Sequence, residues 1–260
     1  GAIAGDIIGS RFEWDNIKHK EFNLFTREST FTDDTVLTVA LAACLIDGQP
    51  YGVRLKEYAR LYPNAGYGGS FKRWAQEESL VPYNSFGNGS AMRVSAVAWF
   101  FDGLDKVQEE ACKSAAVTHN HTEGIKGAQA VAAAISMARN GVDRREIRSF
   151  IESRFEYDLS RRIDHIRPSY TFDVTCQGSV PEAIIAFLES SDFEDAIRNA
   201  ISIGGDSDTI ACITGAIAEA YYGAVPAEIA AKVWSRLDDR LTKVVEEFMA
   251  ATKEKYGRVV

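Results

Sequence analysis

Cysteine is scarce in this chain: four residues among 260, at positions 44, 112, 176 and 212, far apart and with no Cys-x-x-Cys pair. That spacing argues against sulfur-bound metal and against a disulfide framework. Cys44 and Cys212 fall in apolar runs, where a reduced thiol packs as a small hydrophobe, and the expectation is a cytoplasmic protein. Positive charge is also in deficit, with 29 Lys and Arg against 37 Asp and Glu and a net charge of −8, which speaks against a non-specific grip on nucleic acid. Long apolar runs are missing: a stretch such as Val36 to Ile46 is far shorter than the ~20 residues of a membrane helix, and no basic segment precedes a signal-like core. No solenoid-period repeat, low-complexity tract, alternating strand pattern or polar linker is present.

What remains is an ordinary globular composition, 46% hydrophobic and 25% charged. A chain of this length buries roughly 75% of its unfolded surface, enough for a core without staples. Small apolar residues recur at helical spacing, with Ser, Thr and Asp at helix entries and Gly at exits. The pattern predicts helices near 36–46, 53–61, 70–77, 90–100, 104–116, 122–139, 143–153, 180–189, 192–202, 208–222, 226–233 and 236–255. Segments 1–35, 62–69, 82–89, 117–121, 156–179 and 203–208 read as loops. Ala-rich runs such as 128–138 and 211–220 allow close helix approach. The expectation is an all-α protein, one compact multi-helix domain over 1–260.

Two acidic clusters stand directly before apolar helices. Phe31-Thr32-Asp33-Asp34-Thr35 precedes the helix near Val36, and Gly204-Gly205-Asp206-Ser207-Asp208-Thr209 precedes the one near residue 208. Taken singly, each reads equally well as a helix cap, since Asp and Thr suit the N-terminal dipole. Taken together they offer four carboxylates and threonine hydroxyls, an oxygen-only set whose repulsion, if the helix starts converge, calls for a cation. Such ligands suit Mg2+ or Mn2+; zinc would recruit His or Cys, and the spacing is not that of a calcium loop. Bridging carboxylates would support two ions. Prenyl-transferring enzymes also use paired Asp clusters, but their Asp-Asp-x-x-Asp pattern fails here at Leu37.

A third motif, Tyr83-Asn84-Ser85-Phe86-Gly87-Asn88-Gly89-Ser90-Ala91-Met92-Arg93, puts a Gly-Asn-Gly-Ser loop before a helix. Its exposed amides suit an anion or phosphate and Phe86 suits stacking, although a plain turn and cap has the same composition. No Walker pattern occurs, and the lone Gly-x-Gly lacks the strand and third glycine of a dinucleotide fingerprint. Thr118-His119-Asn120-His121 holds two of the four histidines; His119 reads either as a helix-entry or core residue or as a contact to phosphate or ribose. A Ser–His–Asp triad on Ser85 or Ser90 lacks a nucleophile elbow.

These three motifs, with Gly5-Asp6-Ile7-Ile8-Gly9-Ser10-Arg11-Phe12-Glu13, resemble the ADP-ribosylglycohydrolases in order and spacing over nearly the whole chain. The resemblance implies an all-helical fold, a binuclear Mg2+ or Mn2+ centre, and hydrolysis of the N- or O-glycosidic bond between ADP-ribose and an acceptor, either a protein side chain or a small molecule. By motif it implies Thr32, Asp33, Asp34, Asp206, Asp208 and Thr209 as metal ligands. Glu13 would stand over the metals as an acid, base or gate, with Glu13 or Asp34 moving protons. Ser85, Phe86, Gly87, Asn88, Gly89 and Ser90 would cradle the diphosphate, with His119 nearby. Cys176-Gln177-Gly178-Ser179 reads equally as an adenosine contact or a simple helix entry at Pro181. Two rivals share the scaffold: a non-catalytic ADP-ribose binder, against which the intact ligand set argues, and a metal-dependent hydrolase of the diphosphate. No membrane and no direct nucleic-acid preference are expected.

Overall fold

The computed structural model describes residues 1–256. Its helices open with α1 Ala2–Gly9, α2 Asp33–Asp47, α3 Tyr51–Leu61, α4 Gly69–Gln76 and α5 Gly89–Met92. They continue as α6 Ser95–Phe100, α7 Leu104–Ala116, α8 Thr122–Arg139, α9 Arg144–Phe155 and α10 Ile163–Ile166. The chain closes with α11 Cys176–Leu188, α12 Phe193–Ile203, α13 Ser207–Tyr222, α14 Ala227–Trp234 and α15 Asp239–Tyr256. Among the described residues there is no strand, only an antiparallel bridge between Gly87 and Thr175. The all-α expectation holds, and the helices share one hydrophobic core.

The core is organised around α13, which is buried on every side over Ser207 to Ala218. A helix of Ala, Ile, Cys, Gly and Thr has no polar face to offer water, so it sits in the centre, with α1, α8, α11 and α12 packed around it. On the other flank α2 packs against α3, α6 and α15.

The helix at 2–9 lies in a segment read as loop from sequence. Gly5 and Gly9 carry little helix propensity, costing ~1 kcal/mol each relative to Ala, but here tertiary packing wins. A Cβ on Gly5 would stand 2.0 Å from the Ala211 carbonyl oxygen, and one on Gly9 would stand 2.6 Å from Asp208 Cα. Backbone therefore meets backbone between α1 and α13, and the same glycines that weaken α1 in isolation allow the contact.

Three other boundaries differ from the periodicity. The run expected at 90–100 is two short helices, broken at Arg93 and Val94, whose ψ angles of −6° and −9° flatten the chain into a turn between them. The helix expected from 180 begins at Cys176, capped by the Thr175 hydroxyl accepting from the Gly178 amide at 3.1 Å. Pro181 thus lies inside α11 rather than at its start. The single turn α10 interrupts the loop expected over 156–179. Cys44, Cys176 and Cys212 are buried free thiols and Cys112 is half-buried. No helix among the described residues is long and apolar enough to cross a membrane.

Candidate metal centre and adjoining loop

The N-terminal ends of α2 and α13 converge. Thr32 caps α2 through its hydroxyl, which accepts from the Asp34 amide at 3.3 Å, so neither Asp33 nor Asp34 is spent as the cap. At α13 the N-cap position is Asp206, whose side chain makes no capping bond. Gly204 and Gly205, with φ of 75° and 78°, turn the chain into this position with a geometry that side-chain-bearing residues rarely adopt. The two clusters that each read as caps from sequence therefore leave their carboxylates facing one another.

Carboxylate oxygens of Asp6, Asp34 and Asp208 lie within 4.8 Å of one another, and so do those of Glu13, Asp206 and Asp208. Asp208 belongs to both triads. Asp6, Asp34, Asp206 and Asp208 are between 0% and 5% exposed. Burial first, and then neighbouring carboxylate charges, hold Asp34 and Asp208 well above the ordinary carboxylate range: Asp6, Asp33 and Asp206 act on Asp34, and Asp34, Asp206, Glu13 and Asp6 act on Asp208. Asp33 is raised by burial and by Asp6 and Asp206, but it stands in neither triad. Asp34 Oδ2 accepts from the Thr209 hydroxyl at 3.3 Å, whereas its Oδ1 is buried with no hydrogen-bond partner. An orphaned, buried carboxylate oxygen in an all-oxygen cluster of like charges fits a hard divalent cation.

Sequence reasoning assigns Asp6 no role, although it stands within a quoted motif. Its Oδ1 accepts from the Thr32 hydroxyl at 2.7 Å, and its Oδ2 accepts from the Thr32 and Thr35 amides at 2.9 and 3.0 Å and from the Thr35 hydroxyl. Through these bonds α1 fixes the entry of α2. The available signal was a lone acid in the apolar run Ala2 to Ile8, since a fully buried acid is rare without a task.

Glu13 follows the single 3-10 turn Ser10–Phe12 and stands half-buried at the mouth of the cluster. Burial, helped by the Asp206 and Asp6 charges, pushes its carboxyl up to about 7, against a smaller lowering by a hydrogen bond with the Trp14 side chain. Asn16, also missed, fastens this loop down: its Nδ2 donates to the carbonyls of Phe12 at 2.6 Å and Gly205 at 2.9 Å, and its Oδ1 accepts from the Gly205 amide at 2.6 Å.

The Ser85 to Ser90 loop adjoins the carboxylates through Asn88, whose Nδ2 donates to Asp206 Oδ2 at 2.6 Å and to Ser179 Oγ at 3.0 Å. Ser85 Oγ accepts from the Gly87 amide at 3.1 Å, and buried Ser90 donates to the Gly124 carbonyl at 2.7 Å. Phe86 is 45% exposed, its ring 5.3 Å from that of His121. His119 is 4% exposed beneath the loop, its Nδ1 2.7 Å from the Thr118 hydroxyl. The Cys176 thiol, at the start of α11, donates to the Gly87 carbonyl at 3.1 Å and so supports this loop from below.

Comparison with known proteins bears on the family and the fold. The family model described as ADP-ribosylglycohydrolase matches residues 1–258. The ADP-ribosylhydrolase ARH3 of Mus musculus is 28% identical, over 86% of this chain and 82% of its own. The ADP-ribosylarginine hydrolase Tri1 of Pseudomonas putida (strain GB-1) is also 28% identical, over 94% and 75%. A solved structure, the ADP-ribosylglycohydrolase-related protein complex, shares the fold with a TM-score of 0.74 at 20% identity, covering 96% of this chain and 95% of that one.

Proposed function

Because this chain belongs to the ADP-ribosylglycohydrolase family, we propose that it is a metal-assisted hydrolase releasing ADP-ribose from an ADP-ribosylated protein side chain or small molecule. The observation that carries the reading is the pair of carboxylate triads sharing Asp208, with Glu13 at their mouth and the Ser85 to Ser90 loop fastened to Asp206. Asp34, Asp206 and Asp208 would hold two Mg2+ or Mn2+ ions, with Asp6, Asp33, Thr32 and Thr209 completing or orienting the set and Glu13 standing over them. Bound there, the ions would supply positive charge against the hydroxyls of the substrate ribose and ease deprotonation of a nearby water.

The chain's own residues do the rest. The loop amides at Gly89 and Ser90, beyond those of Gly87 and Asn88 that already donate to Ser85 Oγ and the Val174 carbonyl, hold the diphosphate, so that binding energy far from the bond orients the sugar. Asn88, held between Asp206 and Ser179, sets the distance between that cradle and the carboxylates. Glu13, half-buried at the mouth of the cluster, takes a proton from the attacking water at the sugar C1″ and returns it to the departing acceptor. Asp34, far more buried than Glu13, acts as a ligand rather than as the proton carrier. The carboxylates also favour positive charge developing on the sugar as the bond to the acceptor breaks.

The test is chromatographic release of ADP-ribose from matched arginine-linked, serine-linked and small-molecule substrates, with Mg2+, with Mn2+ and with chelator. Metal-dependent release from one class supports the reading and identifies the acceptor. AMP as the product would assign the diphosphate as the bond cut, and binding without release from any substrate would make the protein a binder.

A further inference from the structure

Arg93, in the break between α5 and α6, is 0% exposed and joins no ion pair among the described residues. Its Nη2 donates to the Ser114 carbonyl at 3.2 Å and to the Thr118 hydroxyl at 2.8 Å, while Nε and Nη1 have no hydrogen-bond partner. A buried guanidinium is costly, and here its shorter bond is to the Thr118 hydroxyl. Thr118 is itself 0% exposed, and its oxygen lies 2.7 Å from His119 Nδ1.

The chemistry of the donors fixes the direction of that second bond. Arginine only donates, so the Thr118 oxygen accepts from Arg93 and its own proton must go elsewhere. His119 Nδ1 is the acceptor placed to take it. If Nδ1 instead carried a proton, two donors would meet one oxygen and the buried hydroxyl proton would be left unpaired, which is costly in a core. The ring proton therefore belongs on Nε2. Burial and the Arg93 charge both oppose a second proton on the ring. Nε2 faces the Ser85 to Ser90 loop: Cβ atoms placed on Gly89 and Gly87 would lie 3.3 and 3.6 Å from it.

We infer that Arg93 and Thr118 are positioning residues that lock His119 as the neutral Nε2–H tautomer, giving the Gly87–Gly89 loop one fixed donor for a phosphate-type oxygen. The inference rests on the reading of that loop as the diphosphate cradle. It adds a specificity element, because a donor that cannot switch to acceptor favours an anion over a ligand offering its own proton.

The experiment is long-range 1H–15N spectroscopy of histidine-labelled protein at pH 7, together with ADP-ribose titration by calorimetry. The His119 signal is identified by its loss in His119→Gln. Ligand-free wild type is expected to show His119 protonated on Nε2 alone. Thr118→Val should move the ring toward a tautomer mixture and weaken ADP-ribose binding about tenfold, and Thr118→Ser should restore both. Wild type with the proton on Nδ1 overturns the relay directly, even if Thr118→Val fails to fold. A folded Thr118→Val that keeps the tautomer and the affinity overturns it as well. Wild type with the expected tautomer but no ADP-ribose binding overturns the ligand role, and with it the proposed function, while leaving the Arg93–Thr118–His119 geometry established.

Discussion

Asp34→Asn should make the metal-free protein more stable and the metal-loaded protein less stable than wild type. Asp34 is 2% exposed, with one oxygen unpartnered and three other carboxylates acting on it. An uncompensated buried charge costs about 3–5 kcal/mol, and partial protonation recovers some of that cost. Removing the charge while keeping the shape should thus gain ~2 kcal/mol in chelator, or roughly 4–8 °C in Tm for a chain of this size. The same reasoning fixes a pH trend. Asp33, Asp34, Asp208 and Glu13 are all raised in the folded state, so the folded protein binds more protons than the unfolded one and loses stability as pH rises. For Glu13 the loss is absent below 4.5, develops between 4.5 and about 7 and is complete above. Its share is about 1–2 kcal/mol once the half-exposed position is discounted. Chelated wild type should therefore melt higher at pH 5.5 than at pH 8, with a shallower slope in Asp34→Asn. Saturating Mg2+ or Mn2+ should remove the trend and raise wild type by ~2.7 kcal/mol per ion at a hundred times Kd. The assay is differential scanning calorimetry in EDTA and in metal. Chelated wild type that gains stability with rising pH, or Asp34→Asn no more stable than wild type in EDTA at pH 8, would refute the reasoning.

Three further outcomes are expected. Glu13→Gln should lower kcat roughly 10²–10³-fold with KM little changed; steady-state kinetics showing wild-type kcat would remove Glu13 from proton transfer. Asp6→Asn, which disturbs the bonds to Thr32 and Thr35, should weaken metal binding about 10–100-fold by calorimetry, and unchanged metal affinity would show that the α2 entry is set without it. Gly124→Ala places a Cβ 2.6 Å from the Ser85 carbonyl oxygen and 2.9 Å from His119 Cβ. It should weaken ADP-ribose about tenfold or more while sparing metal binding, and full ligand affinity in that variant would move the diphosphate away from the Ser85 to Ser90 loop.

The sequence by itself determined that the protein is helical and which residue types its candidate site offers. Periodicity of small apolar residues is a local property, so α7 and α8 stand over the residues expected, 104–116 and 122–139. The paired acidic motifs and the Gly-Asn-Gly-Ser loop were likewise legible, because ligand chemistry is written in residue type and spacing. Tertiary structure decided the remainder. Helix α1 exists because Gly5 and Gly9 meet the α13 backbone, a gain that no local propensity contains. Asp6 becomes part of the centre only through that contact, which carries it to Thr32 and Thr35, far along the chain. Whether Asp34, Asp206 and Asp208 act only at helix starts or face one another depends on the separation of two helix ends 174 residues apart (33 to 207), and that distance is fixed by packing around α13 rather than by either motif. The tautomer of His119 is decided in the same way, since its partner Arg93 lies on another element and makes its claim on Thr118 only in the folded core.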